Sequence, residues 1–262
     1  MTDPRERAAV AERAARAGGS VAESLFRRDI AVETKENETD YVTRADREAQ
    51  EETLAVIREH YPDEPVVAEE ADAAKVVPES GAAWIVDPID GSHNFVRGGR
   101  TWATSVGVVE DGEPVAAATV CPAVGDAVVA ADGRVERNGE PVTVSDRTDP
   151  ERCMVAPTVW WPHDRRDEFA AAARAAVTRF GDVRRPGSVQ TALARLAAGE
   201  LDGVYTNVDA HPWDTVAGVH LVRRAGGRVT DLDGERWRHD SVGLVASNGG
   251  VHDAVLDAAV EI

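Results

Sequence analysis

Apolar residues recur at helical spacing near the start of the chain. Val10, Ala14, Ala17, Val21 and Leu25 lie three and four apart and Pro4 stands near the beginning, which predicts a helix over residues 4–28. Gly18-Gly19 interrupts it with residues that cost helix stability, so a closely packed neighbour is predicted there. A polar stretch from Glu33 to Asp40 predicts a mobile loop, and Ala49, Thr53, Val56 and Ile57 mark a second helix from Asp46 to His60.

From Pro65 the pattern changes to strands. Val66-Val67-Ala68 and Trp84-Ile85-Val86 are short apolar runs, each ending in acid, and residues 104–110, 114–120 and 126–131 continue the series. Asp111-Gly112 and Asn138-Gly139 are hairpin turns, the second leading into Val142-Thr143-Val144. The first half therefore reads as two helices and a mainly antiparallel sheet. In the second half strands (154–156, 203–205, 243–247) alternate with helices (166–180, 188–198, 214–225, 252–260). The pattern predicts a layered α/β (α+β) chain of two tightly joined lobes, 1–146 and 147–262, with Pro150 near the boundary.

Composition adds constraints. The 262 residues carry 29 Lys plus Arg against 47 Asp plus Glu, a net charge of −18. Such a surface repels phosphate backbones and anionic membranes, which argues against nucleic-acid or membrane partners. Only two of the cations, Lys35 and Lys75, are Lys. An acidic, Ala- and Val-rich, Lys-poor chain predicts a halophilic, archaeal source, where excess negative charge maintains solubility. Cys121 and Cys153 fit no metal or redox spacing and read as buried thiols of a reducing compartment. Residues 1–16 lack the apolar core of a signal peptide, and no apolar run approaches the ~20 residues that span a bilayer, so a soluble cytoplasmic protein is expected.

The chemistry is suggested by where some of the acids fall. Asp87-Pro88-Ile89-Asp90-Gly91 follows directly on the buried run Trp84-Ile85-Val86. Two carboxylates at the end of a core strand repel unless a cation lies between them, and carboxylates with a backbone carbonyl are the hard oxygen donors that Mg²⁺ takes. Glu69-Glu70 ends another apolar run, and Asp214 stands at a helix start, where an acid also serves as a cap. After Gly91, Ser92 enters a helix whose backbone N–H groups and hydroxyl suit an anion, so a phosphate bound beside the metal is expected.

These residues resemble the inositol monophosphatase family, Mg²⁺-dependent, lithium-sensitive phosphomonoesterases related to fructose-1,6-bisphosphatase. The string Trp84-Ile-Val-Asp-Pro-Ile-Asp-Gly-Ser-His-Asn-Phe-Val-Arg-Gly98 is similar to that family's central signature. Asp40-Tyr-Val-Thr-Arg-Ala-Asp46 and Trp213-Asp214 through Ala225-Gly226-Gly227 resemble its N- and C-terminal elements. The resemblance implies alternating layers of helices and sheets, usually as a homodimer, and a site holding two to three Mg²⁺ ions. It assigns Glu69, Asp87 and the Ile89 carbonyl to the first ion, Asp87, Asp90 and Asp214 to the second, and Glu69 to a weaker third. Asp46 and Ser92 would orient a metal-activated water, the N–H groups of Gly91 and Ser92 would hold phosphate, and Lys35 would belong to the loop over the site.

Substrate contacts implied by the resemblance are Gly187-Ser188 and His211. Position 207, a Glu in inositol-selective members, is Asn207, and Arg184 and Arg185 suit either a second phosphate or a solvated pair. The implied activity is hydrolysis of a small sugar or inositol phosphate such as inositol-1-phosphate or fructose-1,6-bisphosphate. The alternatives are adenosine 3′,5′-bisphosphate or NADP dephosphorylation, for which no aromatic platform is evident in the sequence, and a catalytically silent relative working through protein partners. A nucleotide-binding module is disfavoured because Gly-x-Gly-x-x-Gly and Gly-x-x-x-x-Gly-Lys are both absent. The acidity predicts that the melting temperature rises from low salt to multimolar KCl as self-repulsion is screened; a melting temperature independent of KCl would contradict it.

Overall fold

β-branched and small apolar residues build two sheets, and Ala-rich helices cover them. The computed structural model describes residues 3–28, 32–34, 41–70, 73–131, 133–159 and 161–262. Helices α1 (Pro4–Leu25) and α2 (Arg44–His60) flank a short antiparallel pair, β1 (Val32–Thr34) and β2 (Tyr41–Thr43). The predicted loop from Glu33 thus begins inside a strand, and its residues 35–40, Lys35 and Asp40 among them, lie outside the described residues. A seven-stranded sheet follows: β3 (Val66–Ala68), β4 (Ala82–Asp90), β5 (Ala103–Glu110), β6 (Glu113–Cys121), β7 (Asp126–Ala131), β8 (Arg134–Arg137) and β9 (Glu140–Val142), side by side in chain order. Among the described pairings of this sheet only that of β3 with β4 is parallel. The short helix α3 (Ser92–Val96) follows β4.

The second sheet contains β10 (Met154–Pro157), β11 (Asp182–Val183), β12 (Gly203–Thr206), β13 (Arg228–Thr230) and β14 (Leu244–Ser247), in the order β11-β10-β12-β14-β13. Helices α4 (Arg166–Arg179), α5 (Val189–Ala197), α6 (Pro212–Arg224) and α7 (His252–Val260) complete the described elements. β11 and β13 were not anticipated from the sequence; at two and three residues they are too short to show a period.

Three hydrophobic cores, the middle one filling both sides of α5 and α6, stack these elements into five layers. Trp84 and Val86 of β4 pack with Val10, Ala11 and Ala14 of α1. The alternate residues Ala83 and Ile85 face the opposite way, into a core with Leu193 of α5 and Val216 of α6 that reaches Val204 and Leu244 of the second sheet. On that sheet's outer face Val155, Tyr205 and Val245 meet Ala172 and Ala176 of α4 and Val255 of α7. Strand β4 is covered on both faces, which is why its sequence reads as an unbroken apolar run. Among the described residues no helix is long and apolar enough to cross a membrane.

Two details explain the packing of the first layer. A Cβ on Gly18 would stand 2.8 Å from the Ala49 carbonyl, so this glycine is what allows α1 and α2 to cross so closely. Arg7, buried, forks onto Glu64 at 2.6 and 2.7 Å, and Glu64 also accepts the Trp84 Nε1 proton at 2.8 Å. This joins α1, the turn before β3 and β4; the Arg7 guanidinium holds the Glu64 carboxyl below the usual carboxylate range.

His220 of α6 donates from Nδ1 to the Pro114 carbonyl at 2.9 Å, and burial lowers its pKa to about 4. The unfolded chain takes up that proton near pH 6.5 and the folded chain does not, so stability falls as pH drops from about 6.5 to about 4. Urea unfolding at pH 5 and pH 7 is expected to show His220→Gln losing roughly 2 kcal/mol less than the parent across that interval. Equal losses would show that His220 does not carry this dependence.

Candidate metal centre

Side chains three apart on a regular strand point to opposite faces. Asp87 and Asp90 escape this rule because the pairing of β4 with β5 slips between Asp87↔Ser105 and Asp90↔Ala103, one extra residue lying on β4. The extra length falls at Pro88-Ile89, where proline has no N–H to lose from the ladder. Both carboxylates then reach the same point as Asp214 of α6, and one oxygen from each of the three lies within 4.8 Å of the others.

Asp90 is buried against the first turn of α5. It accepts the Ser188 hydroxyl, the Gln190 N–H at 2.6 Å and the Val189 N–H at 3.1 Å. Burial pushes its carboxyl above the ordinary range, and the bonds from Ser188, Gln190, Val189 and Thr191 oppose that shift. Asp214 accepts the His211 N–H at 3.0 Å, so the capping role foreseen for it is real and coexists with its place in the cluster. Three carboxylates this close repel one another, and a cation between them relieves that repulsion. All three donors are hard oxygens, and the set therefore fits a divalent ion such as Mg²⁺.

Glu69 leaves β3 beside Asp87, because Ala68 pairs with Val86, but it is not one of the three clustered carboxylates. The carbonyls of Ala68 and Glu69 accept Lys75 Nζ at 2.8 and 2.7 Å, and that ammonium lies 5.4 Å from the Trp213 ring centroid. The Ile89 carbonyl accepts the Ser92 hydroxyl at 2.9 Å, with Asp46 Oδ1 a second acceptor at 3.2 Å. Asp46, wholly buried in the first turn of α2, and Ser92 are thus neighbours. Gly91 has φ +94°, and a Cβ there would lie 3.1 Å from the Gly187 carbonyl, Ser188 Cβ and the Thr101 carbonyl.

Of the expected substrate contacts, Ser188 and His211 touch carboxylates of the cluster, and the others are engaged elsewhere. Ser188 bonds Asp90 and Thr191 Oγ1. His211 is stacked on Trp213 at 4.6 Å. Asn207 accepts Trp161 Nε1 at 2.7 Å and donates to Glu168 at 2.6 Å. Arg184 pairs with Asp182 at 2.6 Å, whereas Arg185 lies 4.3 Å over Phe169 and 5.5 Å over Trp161, donating to the Pro157 and Val159 carbonyls. Trp161 and Phe169 pack on one another under the Arg185 guanidinium, a pair of rings that tertiary packing alone brings together.

Sequence reasoning missed three residues. Asn94 donates to the Thr101 and Pro186 carbonyls at 2.6 and 2.8 Å, joining α3 to the turn before α5; its place in the central string was the available signal. Gln190 joins α5 to α6 through the Trp213 carbonyl and the Gly218 N–H, and Glu168 meets Asn207 from α4; neither had a local signal. Gly91→Ala is expected to cost about 2 kcal/mol in urea unfolding, since it adds a Cβ to a left-handed residue in a closed corner. An unchanged midpoint would show that the turn tolerates a side chain.

The chain matches the Inositol monophosphatase family over residues 3–262. It is 33% identical over 232 residues to the fructose-1,6-bisphosphatase/inositol-1-monophosphatase of Thermotoga maritima, covering 88% of this chain and 87% of that one. It is 31% identical over 250 residues to the Nus factor SuhB of Vibrio cholerae, covering 94% and 93%. The solved structure of Thermotoga maritima IMPase superposes with a TM-score of 0.88 at 32% identity, over 98% of this chain and 97% of that chain. With the signature strings now seen to converge on one carboxylate cluster inside the layered fold, the chain belongs to the inositol monophosphatase family.

Proposed function

We propose that this protein is a Mg²⁺-dependent phosphomonoesterase that hydrolyses a small sugar or inositol phosphate, of the class of inositol-1-phosphate and fructose-1,6-bisphosphate. The observation that carries the reading is the convergence of Asp87, Asp90 and Asp214 from two separate elements to within 4.8 Å, beside the Asp46–Ser92 pair. Glu69, Asp87, the Ile89 carbonyl, Asp90 and Asp214 would hold two to three ions. Bound there, Mg²⁺ would neutralise phosphate charge and make the attacking water more acidic.

The chain's own residues account for the remaining steps. A serine hydroxyl has one proton and two lone pairs. When Ser92 donates to Asp46, its lone pairs face outward and accept from a water, which orients that water for attack. The backbone N–H groups of Gly91 and Ser92 cradle the phosphate oxygens, and Lys35 supplies a further cation. Gly187, Ser188, His211 and Arg185 border the organic part of the substrate, and Arg185 would be the contact for a second phosphate where the substrate carries one. The same reading makes the protein a cytoplasmic homodimer acting on a small phosphorylated metabolite.

A second reading follows from the relatives named Nus factor SuhB, a role through protein partners. The retained set of Glu69, Asp87, Asp90 and Asp214 favours catalysis, because a purely partner-binding surface does not require it. Phosphate release at high KCl, with and without Mg²⁺, is the test, offering inositol-1-phosphate, fructose-1,6-bisphosphate and adenosine 3′,5′-bisphosphate in parallel. Release is expected to require Mg²⁺ and to fall roughly 1000-fold in Asp87→Asn, matching the several kcal/mol that metal charge stabilisation supplies. A folded, Mg²⁺-binding protein that releases nothing would favour the partner role.

A further inference from the structure

Strands β10, β11 and β12 run parallel, so the segments that leave them emerge at one edge of the second sheet. Helices α5 and α6 begin at that edge, with Ser188 on Asp90 and with Asp214. Crevices beyond the carboxyl ends of parallel strands are where ligands bind in such sheets. Trp161, Asn207 and Arg185 stand on these segments, and α4, which follows the first of them, contributes Arg165's partner Glu168.

The network among these residues has a fixed direction. Trp161 Nε1 is only a donor, so the Asn207 atom 2.7 Å away is its carbonyl oxygen. The amide nitrogen is therefore turned to Glu168 Oε2 at 2.6 Å. Arg165 grips the same carboxylate, Nε to Oε1 at 2.9 Å and Nη2 to Oε2 at 2.7 Å. Oε2 thus accepts two bonds and Oε1 one, which leaves acceptor capacity on Oε1. Arg165 and then Asn207 hold the carboxyl below the usual carboxylate range, so it remains an acceptor at neutral pH.

Stability does not explain the arrangement. A half-exposed ion pair such as Arg165–Glu168 adds little to stability, because solvent screens it. Val159 beside it is a β-branched residue at φ +64°, a strained conformation. Its carbonyl accepts from Arg185 at 3.2 Å. Two polar side chains, Arg165 and Asn207, the latter anchored by the buried Trp161 ring, hold one carboxylate, 32% exposed, in place beside the segments that leave the parallel strands.

We propose that Glu168, positioned by Asn207 and Arg165, is the specificity-determining carboxylate of this crevice and accepts hydroxyl hydrogens from the polyol end of the phosphomonoester. The proposal rests on the phosphomonoesterase reading above and names the part of the substrate that Glu168 recognises. A carboxylate accepts hydrogen bonds and repels anions, so it selects a hydroxylated carbon skeleton; the adjacent Arg165 donors serve the hydroxyl oxygens, as a vicinal diol requires. Asn207 acts through Glu168 and not on the substrate.

The test compares inositol-1-phosphate with p-nitrophenyl phosphate, which has no hydroxyls, in the full-length Mg²⁺-loaded protein. Glu168→Gln is expected to raise KM for inositol-1-phosphate about 10-fold with kcat within twofold, the size of a hydrogen bond to a charged group, and to leave p-nitrophenyl phosphate kinetics and the melting temperature unchanged. The double variant Glu168→Gln/Asn207→Glu exchanges amide and carboxylate, and recovery of at least part of the lost affinity is expected. Equal effects on both substrates, or no effect on either, would overturn the role of Glu168 while leaving the phosphatase reading intact. A parent protein that releases phosphate from neither substrate would overturn both.

Discussion

Three carboxylates within 4.8 Å of one another repel, and two of them, Asp87 and Asp90, are buried where water screens little. Their placement depends on structure that tolerates this repulsion until a cation arrives. Two helix N-termini provide most of that tolerance. The first turn of α5 directs the Ser188 hydroxyl and backbone N–H groups at Asp90, and the first turn of α6 carries Asp214 with its oxygen on the His211 N–H. Unpaired N–H groups and aligned peptide dipoles favour negative charge at these ends. Gln190, bonded to the Trp213 carbonyl and the Gly218 N–H, fixes the two helices relative to each other.

The layered architecture follows from the same requirement. Helices α5 and α6 form the middle layer and touch both sheets, so their N-termini are held by packing on two sides. The end of β4 meets them from the first sheet. A protein with a net charge of −18 has little reason to attract a phosphate at its surface, and the cluster is where cations, and with them positive potential, would concentrate. In the second sheet's loops Arg165 is neutralised by Glu168, and Arg185 lies on aromatic rings with no ion pair among the described residues.

Much of the site was legible because its residues sit at the ends of strongly patterned elements. The apolar run before Asp87 identified a buried strand ending in acid, and helical spacing after Asp214 identified the helix that carries it. Asp46 and Ser92 were named from motif resemblance, and their 3.2 Å contact spans 46 residues of sequence. The β-bulge at Pro88-Ile89 was not legible, although without it Asp87 and Asp90 would face opposite ways. Nor was the occupation of Ser188 by Asp90, nor the Trp161–Asn207–Glu168 chain, since each joins segments with no periodic relation to one another.

The sequence by itself determined the secondary structure of the long elements, the acidity of the chain and the acids that end its buried runs, because these depend on local periodicity, composition and residue chemistry. Tertiary structure alone decided which carboxylates converge and which polar side chains are already committed to protein partners. Those outcomes depend on strand register and on contacts between residues about 40 to 100 positions apart, where a single extra residue in one strand reverses the direction a side chain points.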